Sequence, residues 1–253
     1  MIEKKVLEEF KIVTGFNLYQ IEKDYLQHLT LLFLSRITSN EFVFKGGTAL
    51  QKVYGLHRFS EDLDFTLNIK NEIDLQMEKI KKEVERFGIS CVIKQEEDND
   101  FSTSFKFKFK GPLYTGSEHS KAVLRMEISK RETVLLEPIA KEITPKYPDI
   151  QPYLVLTMRE EEILSEKVRA ILTRNKSRDI YDLWFLLEKG INFDEKLVNK
   201  KLEQYKRNFD RNLFLEAIVN GGKNWDLELK NLLNSVPDFE TAKKQILSKL
   251  RKS

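Results

Sequence analysis

Two aspartates separated by one residue, Asp62 and Asp64, are the part of the sequence best suited to chemistry. They alternate with Leu63, Phe65 and Leu67, a pattern typical of a half-buried strand. Side chains two positions apart on a strand share a face and lie about 6.6 Å apart. Two carboxylates on one face repel each other unless cations lie between them, and a pair of divalent ions ~4 Å apart drives in-line phosphoryl chemistry. An isolated pair of this kind is usually a solvated strand face, but together with the glycine turn described below it predicts that Asp62 and Asp64 are catalytic metal ligands.

A third carboxylate, Glu127, lies in a strand predicted over 121–129. It projects from the polar face of that strand, whereas Met126 and Ile128 form the apolar face. If this strand lies beside the first one, Glu127 becomes a third ligand. A surface ion pair with Arg125 is the alternative. A ligand set made only of oxygen atoms favours Mg²⁺ or Mn²⁺.

A glycine pair, Gly46-Gly47, follows the apolar run 42–44 and precedes Thr48. The pair allows the backbone to turn sharply and to approach a ligand closely. Thr48 is a candidate N-cap for a helix over 49–54, and amides at the start of a helix bind phosphate. A lone Gly-Gly is usually a simple turn, but its combination with the aspartates favours function. We therefore expect Gly46, Gly47 and Thr48 to bind the triphosphate of a nucleotide.

Periodicity predicts the elements that must position these residues. Helical spacing covers the first 38 residues, with a break at Gly15, and returns over 71–87. A strand is expected over 89–95, followed by a polar turn at 96–100. Another strand is expected where phenylalanines alternate with lysines, at Phe105, Lys106, Phe107, Lys108, Phe109 and Lys110.

Three prolines, at positions 145, 148 and 152, predict a domain boundary, and everything after them is expected to be helical. The expected domains are residues 1–150, an α/β core with N-terminal helices, and residues 151–253, a helical domain that closes the active-site cleft.

Composition limits the class of protein. Of the 253 residues, 41% are hydrophobic and 33% are charged, which excludes a disordered chain. The net charge of +3 permits contact with nucleic acid but does not require it. No run of ~18 apolar residues occurs, so no membrane span is expected. A single cysteine and no secretory signal predict a reducing, cytoplasmic location.

The motif Gly46-Gly47-Thr48 followed by Asp62-Leu63-Asp64 resembles the signature of the nucleotidyltransferase superfamily related to DNA polymerase β. More narrowly, FKGGTAL, RFSEDLDF and RDIYDLWFLL resemble the AbiEii/AbiGii toxin family, over about residues 20–190. Thr48 stands where serine is commoner, and Glu127 where aspartate is common.

This resemblance implies an α/β fold with a small mixed sheet. It also implies transfer of NMP from an NTP to an acceptor, with release of pyrophosphate. The expected biological role is that of the toxin in a toxin–antitoxin or phage-defence pair, with tRNA as the acceptor and a cognate antitoxin as a partner.

Lys167 lies between Leu164 and Ile171 on an apolar helical face. A lysine there must extend its ammonium to solvent or meet an anion. The resemblance implies that Lys167 is catalytic and contacts the phosphates of the nucleotide. We expect it to point into the cleft that holds Asp62 and Asp64.

The resemblance also places Asp182 in the active site as a catalytic residue. From spacing alone, Asp182 can instead pair with Arg178 one helical turn away. For Asp179, a favourable interaction with the helix dipole and a role in the site both remain open. Arg58 either binds a phosphate of the nucleotide or caps its own loop.

The acceptor is the least constrained part of the prediction. Lys106, Lys108 and Lys110 form a basic stripe that faces either RNA phosphates or solvent alone. A protein hydroxyl or a small molecule is an alternative acceptor, and a non-catalytic nucleotide- or RNA-binding protein is the alternative to an enzyme. The intact carboxylates argue against the non-catalytic alternative.

Overall fold

The computed structural model describes residues 1–69 and 72–251, and the chain divides into two compact units. Unit 1 comprises Met1–Val53, Phe59–Val134 and Pro138–Thr157. Unit 2 comprises Tyr54–Arg58, Leu135–Glu137 and the chain from Met158 onward. The polypeptide therefore passes between the units several times.

A mixed sheet forms the centre of unit 1. Within the described residues its seven strands are β1 Phe42–Lys45, β2 Leu63–Leu67, β3 Cys91–Asp98, β4 Ser102–Phe109, β5 Ala122–Ser129, β6 Ile139–Ile143 and β7 Tyr153–Thr157. They are arranged in the order β3-β4-β5-β2-β1-β7-β6. The pairs β1/β7 and β2/β5 are parallel, and the other neighbouring pairs are antiparallel. This is the α/β fold with a mixed sheet that the sequence predicted.

The helices of the N-terminal half are α1 Lys4–Thr14, α2 Leu18–Ile37, α3 Gly46–Tyr54 and α4 Ile73–Arg86. α1 ends at Gly15, whose φ of 71° suits glycine. α2 begins with a reciprocal cap, in which Asn17 and Gln20 each accept a hydrogen bond from the other's backbone amide. α2 contacts β5 and β7, and α4 contacts α2 and β3.

α2 is buried around most of its circumference rather than along one apolar stripe, because α1, α4 and the sheet all pack against it. Its polar residues are therefore paired inside the unit. Asp24 accepts hydrogen bonds from Lys52 Nζ at 2.7 Å and from the Tyr147 hydroxyl at 2.8 Å. The ring of His28 is hydrogen-bonded to the Tyr153 hydroxyl at 2.8 Å.

Unit 2 is built mainly from helices, which are α5 Glu160–Arg174, α6 Ser177–Glu188, α7 Glu195–Glu203, α8 Arg211–Asn220, α9 Trp225–Leu229 and α10 Phe239–Leu250. α5 contacts α6, α7 and α8, and α6 contacts α9 and α10. Aspartates cap the N-termini of α7, α8 and α10, as Asp194, Asp210 and Asp238. In the part of the chain that the structure describes, no helix combines the length and the apolar character needed to cross a bilayer.

Some local predictions are wrong. Helices do not make up everything after the three prolines, because β7 directly follows Pro152 and pairs in parallel with β1. β3 continues to Asp98, through part of the expected turn, because Glu97 and Asp98 still pair with Ser104 and Thr103 of β4. The helix expected over 71–87 is α4, which begins at Ile73, and residue 71 lies outside the described residues.

Candidate active site

Three charged residues lie side by side across neighbouring strands of unit 1. Lys45, at the end of β1, is opposite Asp64 on β2, and Asp64 is opposite Glu127 on β5. Residues paired across a sheet present their side chains on the same face. Leu63 and Phe65, which flank Asp64, are buried with 0% and 2% exposure. The sheet therefore brings together Asp64 and Glu127, as the strand alternation predicted.

Asp62 immediately precedes β2, which begins at Leu63. Its main-chain carbonyl accepts a hydrogen bond from the hydroxyl of Thr48. In residues 1–69 and 72–251, no three His, Cys, Asp or Glu side chains stand together as a ready metal site. The convergence of Asp62, Asp64 and Glu127 on a metal pair thus stays a prediction.

Gly46 joins β1 to α3 and lies against Asp64. Its φ is +72°, in the left-handed region that favours glycine. A Cβ built at Gly46 would overlap Asp64 Oδ2 and lie 3.1 Å from Asp64 Cβ and Cγ. The turn and the carboxylate are therefore in direct contact, and the absence of a side chain at Gly46 is what allows it.

The predicted role of Thr48 as an N-cap is wrong, because α3 begins two residues earlier, at Gly46. Thr48 is inside the first turn with 0% exposure, and its hydroxyl donates to the carbonyl of Asp62. It thereby connects the helix start to the beginning of β2. The amides of Gly46, Gly47 and Thr48 belong to the first turn, where backbone donors have no partner within the helix.

A buried ion pair lies next to the carboxylates. The ammonium of Lys45 is bound to Glu132, and the two side chains are 9% and 1% exposed. Sequence reasoning missed Glu132, since a single glutamate among charged residues after a strand reads as surface. The amide of Glu132 lies 3.4 Å from the hydroxyl of Ser129, the last residue of β5.

Three other carboxylates and one ammonium, that of Lys45, act on the charge of Glu127. Partial desolvation raises the pKa of the Glu127 carboxyl, and the charges of Asp64, Glu132 and Glu97 raise it further, whereas Lys45 opposes the shift. This excess of negative charge, carried by oxygen atoms beside a side-chain-free turn, fits a divalent ion such as Mg²⁺ or Mn²⁺.

Unit 2 contains a second charged cluster, which we call the Lys167 network: Lys167, Asp179, Asp182, Arg58 and Arg174. Lys167 Nζ lies 3.0 Å from Asp179 Oδ1 and 2.7 Å from Asp182 Oδ2. The lysine side chain is 8% exposed, and both aspartate side chains are fully buried. Of the two alternatives that its place on an apolar helical face allowed, the ammonium therefore meets anions rather than solvent.

Two arginines complete the Lys167 network. Arg58 binds Asp182 through two hydrogen bonds of 2.6 Å, from Nε and Nη2. Arg174 binds Asp179 in the same bidentate way, at 2.7 and 2.8 Å. Burial alone would raise the pKa of Asp179, but Lys167 and Arg174 outweigh it and hold that pKa below its usual range. Three cations therefore surround two carboxylates in the Lys167 network.

The surface pair between Asp182 and Arg178 that the spacing allowed is wrong, because Asp182 is buried and binds Arg58 and Lys167. The bidentate contact of Arg58 with Asp182 is neither of the two expected roles, which were to bind a phosphate of the nucleotide or to cap its own loop. A positioning role is added, since Arg58 fixes the carboxylate that holds Lys167. Its contact with a nucleotide stays a prediction.

Another buried lysine of unit 2 was not predicted at all. Lys201 is fully buried between Glu162, at 2.6 Å, and Glu166, at 3.2 Å. Glu162 also accepts hydrogen bonds from the amides of Leu135 and Leu136, both at 2.8 Å. The run of glutamates at 160–162 reads in the sequence as a solvated helix start, so no signal identified this cluster.

Solved structures of low sequence identity show the same fold. JHP933 from Helicobacter pylori has a TM-score of 0.60 at 21% identity, covering 94% of this chain and 92% of that one. MenT4, a nucleotidyltransferase toxin of Mycobacterium tuberculosis H37Rv, has a TM-score of 0.71 at 17% identity, covering 98% of this chain and 88% of that one. An uncharacterized protein of Aquifex aeolicus (strain VF5) is 26% identical over 186 residues, which are 71% of this chain and 73% of the relative.

The model of the family described as nucleotidyl transferase AbiEii toxin, type IV toxin–antitoxin system, matches residues 32–245. The match includes both the carboxylates of β2 and β5 and the Lys167 network. The resemblance stated from the motifs is therefore confirmed over most of the chain. With the row of Lys45, Asp64 and Glu127 on its sheet, the chain belongs to the AbiEii nucleotidyltransferase toxin family of type IV toxin–antitoxin systems and is a nucleotidyltransferase.

Proposed function

We propose that this nucleotidyltransferase moves NMP from an NTP to the 3′ end of tRNA, and that it depends on Mg²⁺ or Mn²⁺. The observation that carries the metal dependence is the direct pairing of Asp64 with Glu127 beside Gly46, where the charge of Asp64 helps to raise the pKa of Glu127. Family membership implies an NTP substrate and a cognate antitoxin.

Asp62, Asp64 and Glu127 hold the metal ions, which supply charge neutralisation at the reacting phosphate when bound. The first-turn amides of Gly46 and Gly47 bind the triphosphate, with the dipole of α3 behind them. Thr48 supports this turn through its hydrogen bond to the Asp62 carbonyl.

In the reaction, the hydroxyl oxygen of the acceptor forms a bond to the α-phosphorus, and the bond from that phosphorus to the bridging oxygen breaks. Pyrophosphate leaves with the bonding electron pair, and the hydroxyl proton passes to the Glu127 carboxylate. Lys167 neutralises charge that builds on the leaving pyrophosphate. Arg58 and Asp182 orient Lys167, since Asp182 accepts hydrogen bonds from Arg58 and forms an ion pair with Lys167.

The setting of the reaction is the cytoplasm, where NTPs and tRNA are both present. The thiol of Cys91, the one cysteine of the sequence, is free and buried, which fits a reducing compartment.

One experiment tests the acceptor directly. Purified protein and Mg²⁺ are incubated with each labelled NTP, with tRNA in one tube and bulk cellular protein in another. We expect label on tRNA, release of pyrophosphate, and no transfer by Asp64→Asn. Label only on protein would replace tRNA by a protein hydroxyl as acceptor, and the absence of any transfer despite NTP binding would contradict the proposal altogether.

A further inference from the structure

The exposed face of β3, β4 and β5 carries a cluster of cations that we call the basic sheet face: Lys94, Lys106, Lys108 and Arg125. Lys94 is opposite Lys106, and Lys106 is opposite Arg125, so three cations form one row across three strands. The phenylalanines that alternate with the lysines of β4 are buried on the other side of the sheet.

This face is continuous with the face that carries the candidate metal ligands. Arg125 and Glu127 are two positions apart on β5, so they share a face and lie about 6.6 Å apart along the strand. A chain of phosphates that ends at Glu127 and Asp64 therefore meets the row of Lys106 and Arg125 next.

A carboxylate already bridges the central pair of cations. Glu96 Oε1 lies 3.2 Å from Lys106 Nζ, and Glu96 Oε2 lies 3.5 Å from Arg125 Nε. Glu96 is the extra residue where the pairing of β3 with β4 shifts between Gln95 and Glu97. The bulge thus places an anion between the two cations, at a point where 61% of the Arg125 side chain is exposed.

The next row repeats the arrangement. Glu118 bridges Lys108 at 2.9 Å and Lys121 at 2.6 Å, one cation on each of its two oxygens. The two lysines lower the pKa of Glu118 to about 2, so it remains an anion. Two pairs of cations, Lys106 with Arg125 on this face and Lys108 with Lys121 at the start of β5, therefore each bind an oxyanion through its two oxygens. Two cations bind a phosphodiester in the same way.

We propose that Lys106 and Arg125 bind a backbone phosphate of the RNA acceptor close to its reacting end, that Lys108 and Lys121 bind a phosphate farther along the strand, and that Glu96 and Glu118 occupy these positions until RNA displaces them. The inference rests on the proposed RNA acceptor. RNA is favoured because the cations follow one open, solvated sheet face as a line rather than surrounding a closed pocket, which suits a backbone.

The test measures equilibrium binding of tRNA to the full-length protein by filter titration over a range of salt concentrations, without NTP. The variants are Lys106→Met with Arg125→Met, and Lys108→Met with Lys121→Met. Because each phosphate contact contributes about 0.7–0.9 to the slope of log K against log [salt], each double variant should lower that slope by about this amount. Binding at ~0.15 M salt should weaken about tenfold.

The matched control is Arg86→Met with Lys243→Met. It also removes two positive charges, here from ion pairs with Glu83 and Glu240 away from the basic sheet face. It should leave the affinity and the salt slope unchanged. Glu96→Gln should strengthen tRNA binding about threefold or more, because it removes the competing anion. Thermal melts should show all variants folded, since these side chains are on the surface.

The outcomes separate this inference from the proposed function. If tRNA is labelled but both double variants bind it with wild-type affinity and slope, the inference is wrong and the proposed function stands. Weaker binding by Glu96→Gln would also overturn it, because the carboxylate would then support the site. If wild-type protein labels only protein and does not bind tRNA, the proposed acceptor fails first, and the basic sheet face is not an RNA site.

Discussion

The ammonium of Lys167 lies 2.7 Å from Oδ2 of Asp182, and Arg58 binds both oxygens of the same carboxylate. The carboxylates that bind Lys167 therefore keep arginine partners when the lysine is removed. We expect Lys167→Met to cost less than about 3 kcal/mol of unfolding free energy. Its kcat/KM for NTP should fall at least about 100-fold, or about 2.7 kcal/mol.

Lys201→Met is the matched control, because Lys201 is also a buried lysine between two acidic side chains. Glu162 and Glu166 would be left buried beside each other, at a cost of about 3–5 kcal/mol. Steady-state kinetics should thus show lost activity for Lys167→Met, and urea melts should show lost stability for Lys201→Met. Equal losses of stability, with activity retained by Lys167→Met, would assign Lys167 a structural role.

Asp62→Asn and Asp64→Asn should each reduce nucleotidyl transfer by at least about 10²–10³-fold, because metal ligands act together. Neither side chain is part of the apolar core, so the melting temperature should change little. Asp98→Asn, an exposed carboxylate paired with Lys130, is the control and should transfer normally. Near wild-type transfer by Asp64→Asn at saturating Mg²⁺ would exclude the two-metal arrangement.

Gly46→Ala should inactivate the enzyme and lower its stability. The left-handed backbone costs about 1–2 kcal/mol for an L-residue, and overlap with Asp64 costs about 1–3 kcal/mol more. Gly116→Ala isolates the first cost, since Gly116 has a φ of +96° and nothing within 4 Å of its Cβ position. Denaturant melts and a transfer assay on both variants separate strain from steric overlap. Full activity of Gly46→Ala would mean that the turn tolerates a side chain beside Asp64.

His28 makes the stability of unit 1 depend on pH. Burial, and then the charge of Lys52, lower the pKa of His28 to about 3, although Asp24 opposes the shift. The unfolded chain has the ordinary pKa of about 6.5, so it binds a proton first as the pH falls. Stability is therefore lost between about pH 6.5 and about pH 3.

Between pH 7 and pH 5, the titration of His28 should lower the free energy of unfolding by about 2 kcal/mol. Urea melts of the wild type at the two pH values should show the loss, and His28→Gln should lose that much less over the same interval. Tyr153, Tyr147 and Asp24 also face this ring, so the variant keeps a hydrogen-bonding amide there. The same loss in both proteins would mean that folding does not lower the pKa of His28.

The strands that the sequence predicted best are those with one buried and one polar face. In β4 and β5 buried apolar residues alternate with more exposed polar ones, which is the pattern that predicts a strand with one buried face. The positions of Asp64 and Glu127 followed from this alternation once the strands were paired. β7 was missed because Tyr153–Thr157 follows a proline-rich segment and pairs with β1, more than a hundred residues earlier.

The charged clusters show a different limit. The sequence places Lys167 on an apolar face, where its ammonium either reaches solvent or meets an anion, and the structure selects the anions Asp179 and Asp182. Nothing local identifies Glu132 or Glu162 as buried, because each becomes a partner of a lysine only after distant elements pack. Their roles depend on tertiary contacts, which helical and strand periodicities do not encode.

The position of β7 affects how the chain is made. β1 lies between β2 and β7, so the outer edge of β1 has no partner until residue 157 has been synthesised. A nascent chain that stops within the proline segment would expose this edge, and open strand edges promote aggregation. Lys167 and Asp182 are encoded after β7, far from Asp64 and Glu127 in the sequence. A chain that ends before β7 should therefore be insoluble, and we expect a chain that ends between β7 and Asp182 to lack transferase activity, because we propose that Lys167 and Asp182 take part in the reaction.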